Sequence, residues 1–289
     1  MIKLSPELWV IRMKKNEIHI TNNLCIPSDK LLLIAGPCVI ESREHTLFLA
    51  KEINEICKEL DVHFIFKASF DKANRSHIDA YRGPGIEQGL NILKEVKEKI
   101  RVPVLSDIHE PWQAPICADV LDVIQIPAFL SRQTDLLLSA GYTQKPINIK
   151  KGQFIAPWNM KEVIEKVLST GNRNILLTER GNSFGYNQLV MDPCSIPIMS
   201  EFGFPVIIDA THSVQKPGAG IKGSGGNREL APYIANAGIA VGADGIFVEV
   251  HDNPEKALSD SSNSICLSEL PTYLKRWKAL FNCIKGGVK

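Results

Sequence analysis

Eight short apolar runs are spread along this chain, and nearly every one is followed at once by a residue that can do chemistry. They are rich in β-branched residues and do not alternate with polar ones, which is typical of parallel strands buried on both faces. The runs are Leu31–Ile34, Phe64–Phe66, Val102–Leu105, Val123–Ile126, Ile147–Ile149, Ile175–Leu177, Val206–Ile208 and Ile246–Val248. In a closed barrel of parallel strands all carboxyl ends lie on one rim, where the active sites of such folds lie. One pattern therefore predicts both the fold and the position of the site.

Helical patterns separate the strands. Apolar residues recur about every 3.6 positions in Arg43–Leu60, Gly85–Ile100, Met160–Leu168 and Glu229–Ala237. The strands follow one another at intervals of about 20 to 40 residues, the size of a strand–helix unit with its loops. Eight such units favour a closed barrel over a doubly wound sheet. We therefore predict an α/β protein with a (β/α)8 TIM barrel, folded as a single domain over residues 1–289.

The first 30 residues precede the barrel, which we expect to span residues 31–289. In this extension, Leu8–Met13 and Glu17–Thr21 flank the polar segment Lys14-Lys15-Asn16. We interpret the pair as an N-terminal β-hairpin that closes the bottom of the barrel, at the end opposite the predicted site.

The composition narrows the class of protein. With 33 Lys and Arg against 32 Asp and Glu, the net charge of +1 gives no support for nucleic-acid binding. No apolar stretch approaches the roughly 20 residues of a transmembrane helix, and Met1–Trp9 lacks the apolar core of a signal peptide. Seven cysteines without a CxxC pair indicate reduced thiols rather than a disulfide framework. We expect a cytoplasmic enzyme that does not bind membranes.

A candidate metal site follows from the strand order. Cys38 follows the first strand, His212 follows the seventh, Glu249 ends the eighth, and Asp260 comes eleven residues later. The seventh, eighth and first strands are neighbours in a closed barrel, so these side chains can converge at one corner of the rim. Such a mixed set suits one Zn²⁺, Fe²⁺ or Mn²⁺ ion. Taken singly, a cysteine after a strand is usually a packed apolar residue, and a histidine there is at least as often structural as a ligand, so the prediction rests on their joint place on the rim. His251 is a candidate for a supporting contact.

Five cations point to an anionic ligand. Lys67, Lys72 and Arg75 lie in or beside one loop, and Lys150 and Arg180 follow the fifth and sixth strands. Lys72 alone is as well explained as a solvated loop charge. Lys67 and Lys150 each end an apolar strand and are costly to bury without a partner. The set therefore predicts a ligand with more than one phosphate or carboxylate group.

The segment Ser213–Arg228 contains five glycines and leaves the rim just after His212. Its composition fits a lid over the site, a phosphate-binding nest or a loose surface loop, and its place on the rim favours the first two.

Together, several motifs closely resemble the 3-deoxy-D-manno-octulosonate 8-phosphate synthase family over about residues 31–260. They are Ile34–Ser42, Lys67–Ser76, Tyr81–Gly85, Ser106–Pro111, Ile126–Asp135, Lys150–Phe154 and Asp209–His212. The related 3-deoxy-D-arabino-heptulosonate 7-phosphate synthases share the barrel and the Gly-Pro-Cys turn, but they carry a Lys-Pro-Arg-Thr/Ser type of loop. Here that loop reads Lys72-Ala73-Asn74-Arg75-Ser76, which favours the octulosonate enzyme. The segment after Asp260, Ser261–Cys266, departs from the family pattern, as does His77.

The resemblance implies condensation of phosphoenolpyruvate with D-arabinose 5-phosphate and water, giving 3-deoxy-D-manno-octulosonate 8-phosphate and inorganic phosphate. The product serves lipopolysaccharide biosynthesis, or a pectic polysaccharide in plants. The family is commonly a homotetramer. It divides into a form with Asn at the Gly-Pro-Cys position, which needs no metal, and a form with Cys, which binds one. By resemblance this chain is the metal form, with Cys38, His212, Glu249 and Asp260 as ligands.

The resemblance also assigns the substrate-binding residues. For phosphoenolpyruvate they are Lys67, Ser69, Lys72, Gln125, Ala128, Lys150 and Arg180. For the pentose phosphate they are Asn74, Arg75 and Ser76, and Arg132 is expected to reach a neighbouring subunit. Independently of the resemblance, closure of the Ser213–Arg228 segment as a lid would offer Gln215, Lys216 and Arg228 as candidate contacts to the pentose phosphate. The candidate catalytic residues are Lys72, as proton donor to the forming alkoxide, Asp107, at the sugar hydroxyls, and His212.

Two alternatives stay open at this point. The first is the heptulosonate-phosphate synthase activity, which uses erythrose 4-phosphate. The second is a non-catalytic barrel that binds a phosphorylated ligand as a sensor or scaffold. The intact cationic set and His212 argue against the second, because an enzyme that has lost its activity usually loses such groups.

Overall fold

The computed structural model describes residues 15–219 and 225–286. Eight parallel strands form its barrel, each paired with the next in chain order. They are β1 (Leu32–Gly36), β2 (His63–Lys67), β3 (Val104–Asp107), β4 (Val123–Ile126), β5 (Ile147–Lys150), β6 (Ile175–Glu179), β7 (Val206–Asp209) and β8 (Gly245–His251). Strand β8 pairs with both β7 and β1, which closes the barrel. Apart from His63, every residue of these strands is buried, and the predicted TIM barrel is confirmed.

Helices surround the barrel. In the described ranges they are α1 (Arg43–Glu59), α2 (Ile86–Ile100), α3 (Gln113–Ala118), α4 (Thr134–Tyr142), α5 (Met160–Leu168), α6 (Ser195–Ser200), the single turn α7 (Ala210–Ser213), α8 (Ala231–Ala240) and α9 (Leu270–Gly286). The predicted helix Glu229–Ala237 begins later than expected, at Ala231, because a 3₁₀ turn over Arg228–Leu230 precedes it. Among the described residues, no helix is both long and apolar enough to cross a bilayer.

The N-terminal hairpin pairs differently from the prediction. Ile18–Thr21 pairs antiparallel with Leu24–Ile26, a partner that the apolar pattern did not predict. The turn between them is Asn22-Asn23, and the backbone N–H of Asn23 donates to Thr21 Oγ1 at 3.3 Å. Asparagine favours such turns because its short polar side chain tolerates their backbone conformation. The expected partner, Leu8–Met13, lies outside the described residues.

The hairpin closes the bottom of the barrel, as predicted. Lys15 Nζ lies 2.5 Å from Asp244 Oδ2, one residue before β8 begins. The N–H of Asn16 donates to the carbonyl of Gly203, just before β7, at 2.8 Å. Both contacts lie at the amino ends of the strands, and Ile18, two residues after Asn16, is fully buried in the core.

Candidate active site at the carboxyl ends of the strands

A cavity of about 660 Å³ opens at the carboxyl ends of the barrel strands. Its wall contains most of the residues that the sequence predicts for the site. They are Lys67, Lys72, Asn74, Arg75, Ser76, Asp107, Gln125, Ala128, Lys150, Arg180, His212, Gln215 and Asp260. Cys38, Glu249 and Ser69 lie buried behind this wall. Arg132 is exposed outside the cavity, where its carbonyl accepts a hydrogen bond from Lys166.

A glycine lets Cys38 enter the site. Gly36 ends β1, and a Cβ atom on it would lie 2.0 Å from the carbonyl oxygen of Lys67 in the neighbouring strand. Only a residue without a side chain fits there. The turn that follows carries Cys38 into the interior, where its thiol donates to Ser259 Oγ at 2.9 Å and to Asp260 Oδ2 at 3.0 Å.

The four predicted metal ligands meet at one corner of the rim. Cys38, Glu249 and Asp260 each have one ligand atom within 4.8 Å of the others. His212 Nε2 lies 3.3 Å from Glu249 Oε1 and 3.7 Å from Asp260 Oδ2. The other oxygen of Glu249, Oε2, is buried and has no hydrogen-bond partner. A buried, unpartnered carboxylate oxygen among ligand atoms is what a bound cation would satisfy.

The charges at this corner also fit a cation. Burial raises the pKa of the Cys38 thiol well above its usual range, and the carboxylates of Asp260 and Glu249 raise it further. Burial opposes ionisation of Asp260 as well, but His212, Lys72 and the Cys38 hydrogen bond lower the pKa of Asp260 to about 2. A divalent ion would supply the positive charge that a thiolate needs here. The donor set of one S, one N and two carboxylates therefore fits the predicted class of metal.

Asp209 joins the metal corner to the cationic pocket. Its Oδ2 pairs with Lys150 Nζ and lies 2.8 Å from His212 Nδ1, while its Oδ1 caps helix α7 by accepting the His212 N–H at 2.9 Å. Burial disfavours the carboxylate, but His212 and Lys150 hold the pKa of Asp209 well below its usual range. A carboxylate on the remote nitrogen of a metal-binding histidine is the usual way of fixing the orientation of its ring.

Two lysines project from strand ends into the barrel. Lys67 Nζ donates to the carbonyl of Cys38 at 2.8 Å and lies 3.3 Å from Glu249 Oε1. Lys150 Nζ lies 3.2 Å from the centre of the Phe247 ring, in addition to its ion pair with Asp209. Burial lowers the pKa of Lys150 to about 8, although Asp209 partly offsets this. Both ammonium groups are therefore held in place before any substrate arrives.

Arg180, which follows β6, is connected through Gln215 to Asp260 at the metal corner by hydrogen bonds. Arg180 Nη2 donates to the carbonyl of His212 at 2.9 Å and to Gln215 Oε1 at 2.8 Å. Gln215 Nε2 in turn donates to Asp260 Oδ1 at 2.8 Å. The Nε atom of Arg180 is buried without a partner, so the guanidinium keeps a donor for an anion.

On the other side of the cavity, Asp107 contacts two polar side chains, and one of them also binds Lys72. Ser69 Oγ donates to its Oδ1 at 2.5 Å, and His109 Nε2 lies 3.2 Å from its Oδ2. Burial opposes the charge, yet Lys72 and the His109 contact hold the pKa of Asp107 well below its usual range. Lys72 Nζ donates to Ser69 Oγ at 3.3 Å. Burial alone would lower the pKa of Lys72, but Cys38, Asp107 and the metal-corner carboxylates raise it, so Lys72 carries a proton.

The remaining predicted residues divide between floor and rim. On the floor, Gln125 Oε1 accepts from Asn148 Nδ2 at 2.9 Å, and Asn148 Oδ1 accepts from Thr178 Oγ1 at 2.6 Å. On the rim, Asn74 and Ser76 are exposed, whereas Arg75 is partly buried and donates to the carbonyls of Tyr81 and Leu258. Arg75 is thereby held in the cavity wall by backbone carbonyls.

Comparisons with known proteins assign the family. The DAHP synthetase I family matches residues 15–285. The protein named 2-dehydro-3-deoxyphosphooctonate aldolase from a Cyanothece species is 56% identical over 265 residues, which cover 91% of this chain and 97% of that protein. Proteins of the same name from Desulfatibacillum aliphaticivorans and Geobacter sulfurreducens are 55% and 54% identical, over 92% and 88% of this chain and 97% and 94% of their own lengths. The chain belongs to the 2-dehydro-3-deoxyphosphooctonate aldolase family. This is the octulosonate-phosphate synthase family under its other name, so the resemblance drawn from the motifs is confirmed.

Sequence reasoning left several residues of this aldolase site without a role. Asp209 ends an apolar strand, like the residues that were assigned, and that placement could have identified it. His109 stands two residues after Asp107, which puts both on one side of the chain. The contact of Phe247 with Lys150 could not be predicted from the sequence, because an aromatic residue inside a buried strand is usually part of the core. His251, a candidate for supporting Glu249, instead contacts Glu41 and Asp252.

Proposed function

We propose that this chain condenses phosphoenolpyruvate with D-arabinose 5-phosphate and water, giving 3-deoxy-D-manno-octulosonate 8-phosphate and inorganic phosphate. The names of the relatives support this activity and do not favour the heptulosonate alternative. The observation that carries most weight is the single cavity in which buried cations lie beside a cysteine, histidine and carboxylate cluster.

Two anionic substrates repel each other, so they need separate cationic pockets that bring C3 of the enol to C1 of the aldehyde. Lys67, Lys150 and Arg180 would hold phosphoenolpyruvate deep in the cavity, with Lys72, Ser69, Gln125 and the backbone of Ala128. Asn74, Arg75 and Ser76 would hold the pentose phosphate at the mouth. The depth of the first set and the exposure of the second support this division.

Cys38, His212, Glu249 and Asp260 would hold one divalent transition metal ion. When bound, such an ion stabilises negative charge on an oxygen atom and lowers the pKa of bound water. The chain's own task is to orient these ligands, and Asp209 supports His212 by accepting its backbone N–H at Oδ1 and by placing Oδ2 2.8 Å from its Nδ1. Which of zinc, iron or manganese occupies the corner is a question for elemental analysis.

Lys72 would give a proton to the alkoxide that forms from the aldehyde. Its raised pKa supports a protonated resting state, and Ser69 and Asp107 fix the position of its ammonium group. Asp107 Oδ2 and His109 would then contact the sugar hydroxyls. General acid catalysis of this kind contributes typically about 10²- to 10⁴-fold to a rate.

Association into a homotetramer belongs to the same proposal. Large side chains are exposed in the loops after β4, β5 and β6, next to Arg132, and they include Phe129, Phe154, Trp158, Phe184 and Tyr186. Exposed apolar groups gathered on one side are typical of a protein interface. All seven cysteines are free, which suits the reducing cytoplasm that we propose as its location.

The test is phosphate release from phosphoenolpyruvate by the purified protein, with arabinose 5-phosphate and with erythrose 4-phosphate in parallel. We expect turnover with the pentose phosphate, its loss after treatment with a chelator, and its recovery when a divalent transition metal ion is added back. Faster turnover with erythrose 4-phosphate would assign the heptulosonate activity. Binding of the sugar phosphate without turnover, in metal-loaded protein, would indicate the sensor.

A further inference from the structure

A second group of metal-binding side chains lies outside the cavity, beside the end of β8. Glu41 comes from the turn after β1, His45 from the first turn of α1, and His251 is the last residue of β8. Each offers one ligand atom within 4.8 Å of the others. Their side chains are 16%, 17% and 6% exposed, so the group is largely shielded from water but can still be reached by an ion.

Two nitrogen atoms of this group are buried without a hydrogen-bond partner. They are Nδ1 of His45 and Nε2 of His251. His251 Nε2 lies 3.4 Å from Glu41 Oε1, a contact too long for a well-formed hydrogen bond. Burial raises the pKa of the Glu41 carboxyl, but His251 and the Leu258 N–H lower it below its usual range, so this contact is an attraction that a bound ion would replace. Buried imidazole nitrogens are normally satisfied, and an unsatisfied one costs free energy. Two of them in one group that also contains the Glu41 carboxylate require an explanation.

The other nitrogen of each ring is held by one carboxylate. Asp252 Oδ1 lies 2.8 Å from His45 Nε2 and 3.0 Å from His251 Nδ1. Histidines that bind metals usually donate the N–H of their second nitrogen to such a group, which orients the ring. His251 Nδ1 also accepts the backbone N–H of Asn253 at 2.9 Å, so in that arrangement the ring proton is on Nε2. Metal binding at Nε2 would move this proton to Nδ1, where Asp252 accepts it, and the Asn253 N–H would then lose Nδ1 as its acceptor.

We propose that Glu41, His45 and His251 bind a second divalent transition metal ion, of the zinc class, which shares no ligand with the cavity cluster. Two imidazoles and one carboxylate with a position left for water are a donor set that zinc accepts. The nitrogens without hydrogen-bond partners, the Glu41 carboxylate in the same group and the orienting Asp252 all support the same site.

The position of this site indicates that a bound ion would stabilise the fold. Glu41 Oε1 accepts the backbone N–H of Leu258 at 2.8 Å, and Arg75 Nη2 donates to the carbonyl of Leu258 at 2.6 Å. Leu258 is two residues from Asp260. An ion at Glu41 would therefore fasten the first strand–helix turn and α1 to the loop that carries Asp260, and would stabilise the fold without contacting substrate.

The experiment counts bound cobalt(II) after the protein has been stripped with a chelator. Glu17, His19 and Cys25 form another group of possible ligands, so every variant carries Cys25→Ser. A thiolate ligand gives cobalt a strong charge-transfer absorption, whereas histidine and carboxylate ligands do not. The variants are Cys38→Ser, His45→Gln and Glu41→Gln. His63→Gln is the matched control, because His63 is the first residue of β2 and so lies at the amino end of the barrel, away from the proposed site.

In this background, the parent and His63→Gln should bind one equivalent more than His45→Gln or Glu41→Gln, and all four should show the thiolate absorption. Cys38→Ser should lose that absorption and keep one equivalent. Zinc should raise the Tm of Cys38→Ser but not that of Cys38→Ser combined with His45→Gln or with Glu41→Gln.

The proposal fails if Cys38→Ser binds no ion. It also fails if neither Gln substitution, added to Cys38→Ser, removes the bound ion and the Tm shift that Cys38→Ser retains. None of these readouts depends on catalytic activity, so the result stands apart from the proposed reaction.

Discussion

The charged side chains of the cavity compensate one another before substrate arrives. Lys67 is paired with Glu249 and Lys150 with Asp209, and all four are buried. A buried charge without a partner is strongly destabilising, so each cation brings its own counter-ion. An incoming phosphate then competes with a carboxylate that is already present. The strength with which each lysine binds a phosphate therefore depends on how close the phosphate lies to the paired carboxylate.

The two anion pockets can be separated by mutation. We expect Lys150→Ala and Arg180→Ala to impair the use of phosphoenolpyruvate, and Arg75→Ala to raise the KM for arabinose 5-phosphate. Each loss of a charge-assisted contact should cost about 1.5–3 kcal/mol, or roughly 10- to 150-fold in kcat/KM. Lys161→Ala, which removes an exposed lysine far from the cavity, is the matched control. Equal effects of Arg75→Ala on both substrates would contradict the assignment.

Lys150 also predicts a pH limit. Burial, which Asp209 only partly offsets, lowers its pKa to about 8. Below this pH the ammonium group is present, and as the pH rises through this value the group loses the charge that attracts phosphate. We expect kcat/KM for phosphoenolpyruvate to fall above about pH 8. Lys150→Arg keeps a charge throughout this range. If its profile falls at the same pH as that of the wild type, another group is responsible.

Among the elements, the contact between β1 and β2 is the tightest constraint on the site. Gly36 lies against the carbonyl of Lys67, so the residue that leads to Cys38 and the strand that ends in Lys67 are fixed relative to each other. The ligand and the cation therefore depend on one close backbone approach. This makes the geometry of the metal corner sensitive to a single methyl group.

Gly36→Ala should destabilise the protein by more than about 3 kcal/mol, because the added Cβ would force β1 away from β2. Gly171 is a suitable control: its φ of +83° is also unfavourable for alanine, but a Cβ there meets no atom within 4 Å. Gly171→Ala should therefore cost only about 1–2 kcal/mol. Urea unfolding of both metal-free variants measures the difference. Similar losses would show that backbone conformation, and not the close contact, is what matters at Gly36.

Residues whose role follows from their place along a strand could be predicted from the sequence, whereas residues whose role depends on contacts between distant segments could not. Lys67 and Lys150 were predictable because they end buried strands, and parallel strands bring their ends together. Glu249 was expected to end the eighth strand, but β8 continues to His251, because Val250 and His251 pair with the short strand Ile265–Cys266. The pairing of the N-terminal hairpin was not, because it rests on the short Asn22-Asn23 turn rather than on apolar runs. The roles of Asp209 and His251 depend on contacts between distant segments, which apolar periodicity does not report. The assigned roles of the site residues stay predictions.

At the scale of the whole molecule, the barrel has two unlike sides. The loops after β4 to β6 carry exposed aromatic groups, whereas the segments around the carboxyl ends of β8 and β1 carry two of the three groups of possible metal ligands among the described residues. Association through the aromatic side would leave the metal side accessible. It would also place Arg132 near another copy of the chain. The expected division into a hairpin at residues 1–30 and a single barrel domain at 31–289 stays a prediction.

Sedimentation velocity can test the association. We expect a tetramer for the wild type and smaller species for Phe184→Ser combined with Tyr186→Ser, since these side chains are 72% and 99% exposed in one chain. Phe48→Ser, on α1 at the opposite side of the barrel, removes a 46%-exposed aromatic group and should leave the tetramer intact. A monomeric wild type, or a double variant that sediments like the wild type, would remove this side as the interface.

The carboxylate of Asp209 has one further consequence, because it touches both Lys150 and His212. An anion that draws Lys150 toward itself weakens the hold of that lysine on Asp209, and the carboxylate then binds the His212 ring more strongly. Thermodynamic linkage makes the coupling reciprocal: if phosphoenolpyruvate tightens the binding of the ion, the ion must tighten the binding of phosphoenolpyruvate by the same factor. In a cell with little free metal, the supply of the enol substrate would thus help to decide how much of the enzyme is loaded.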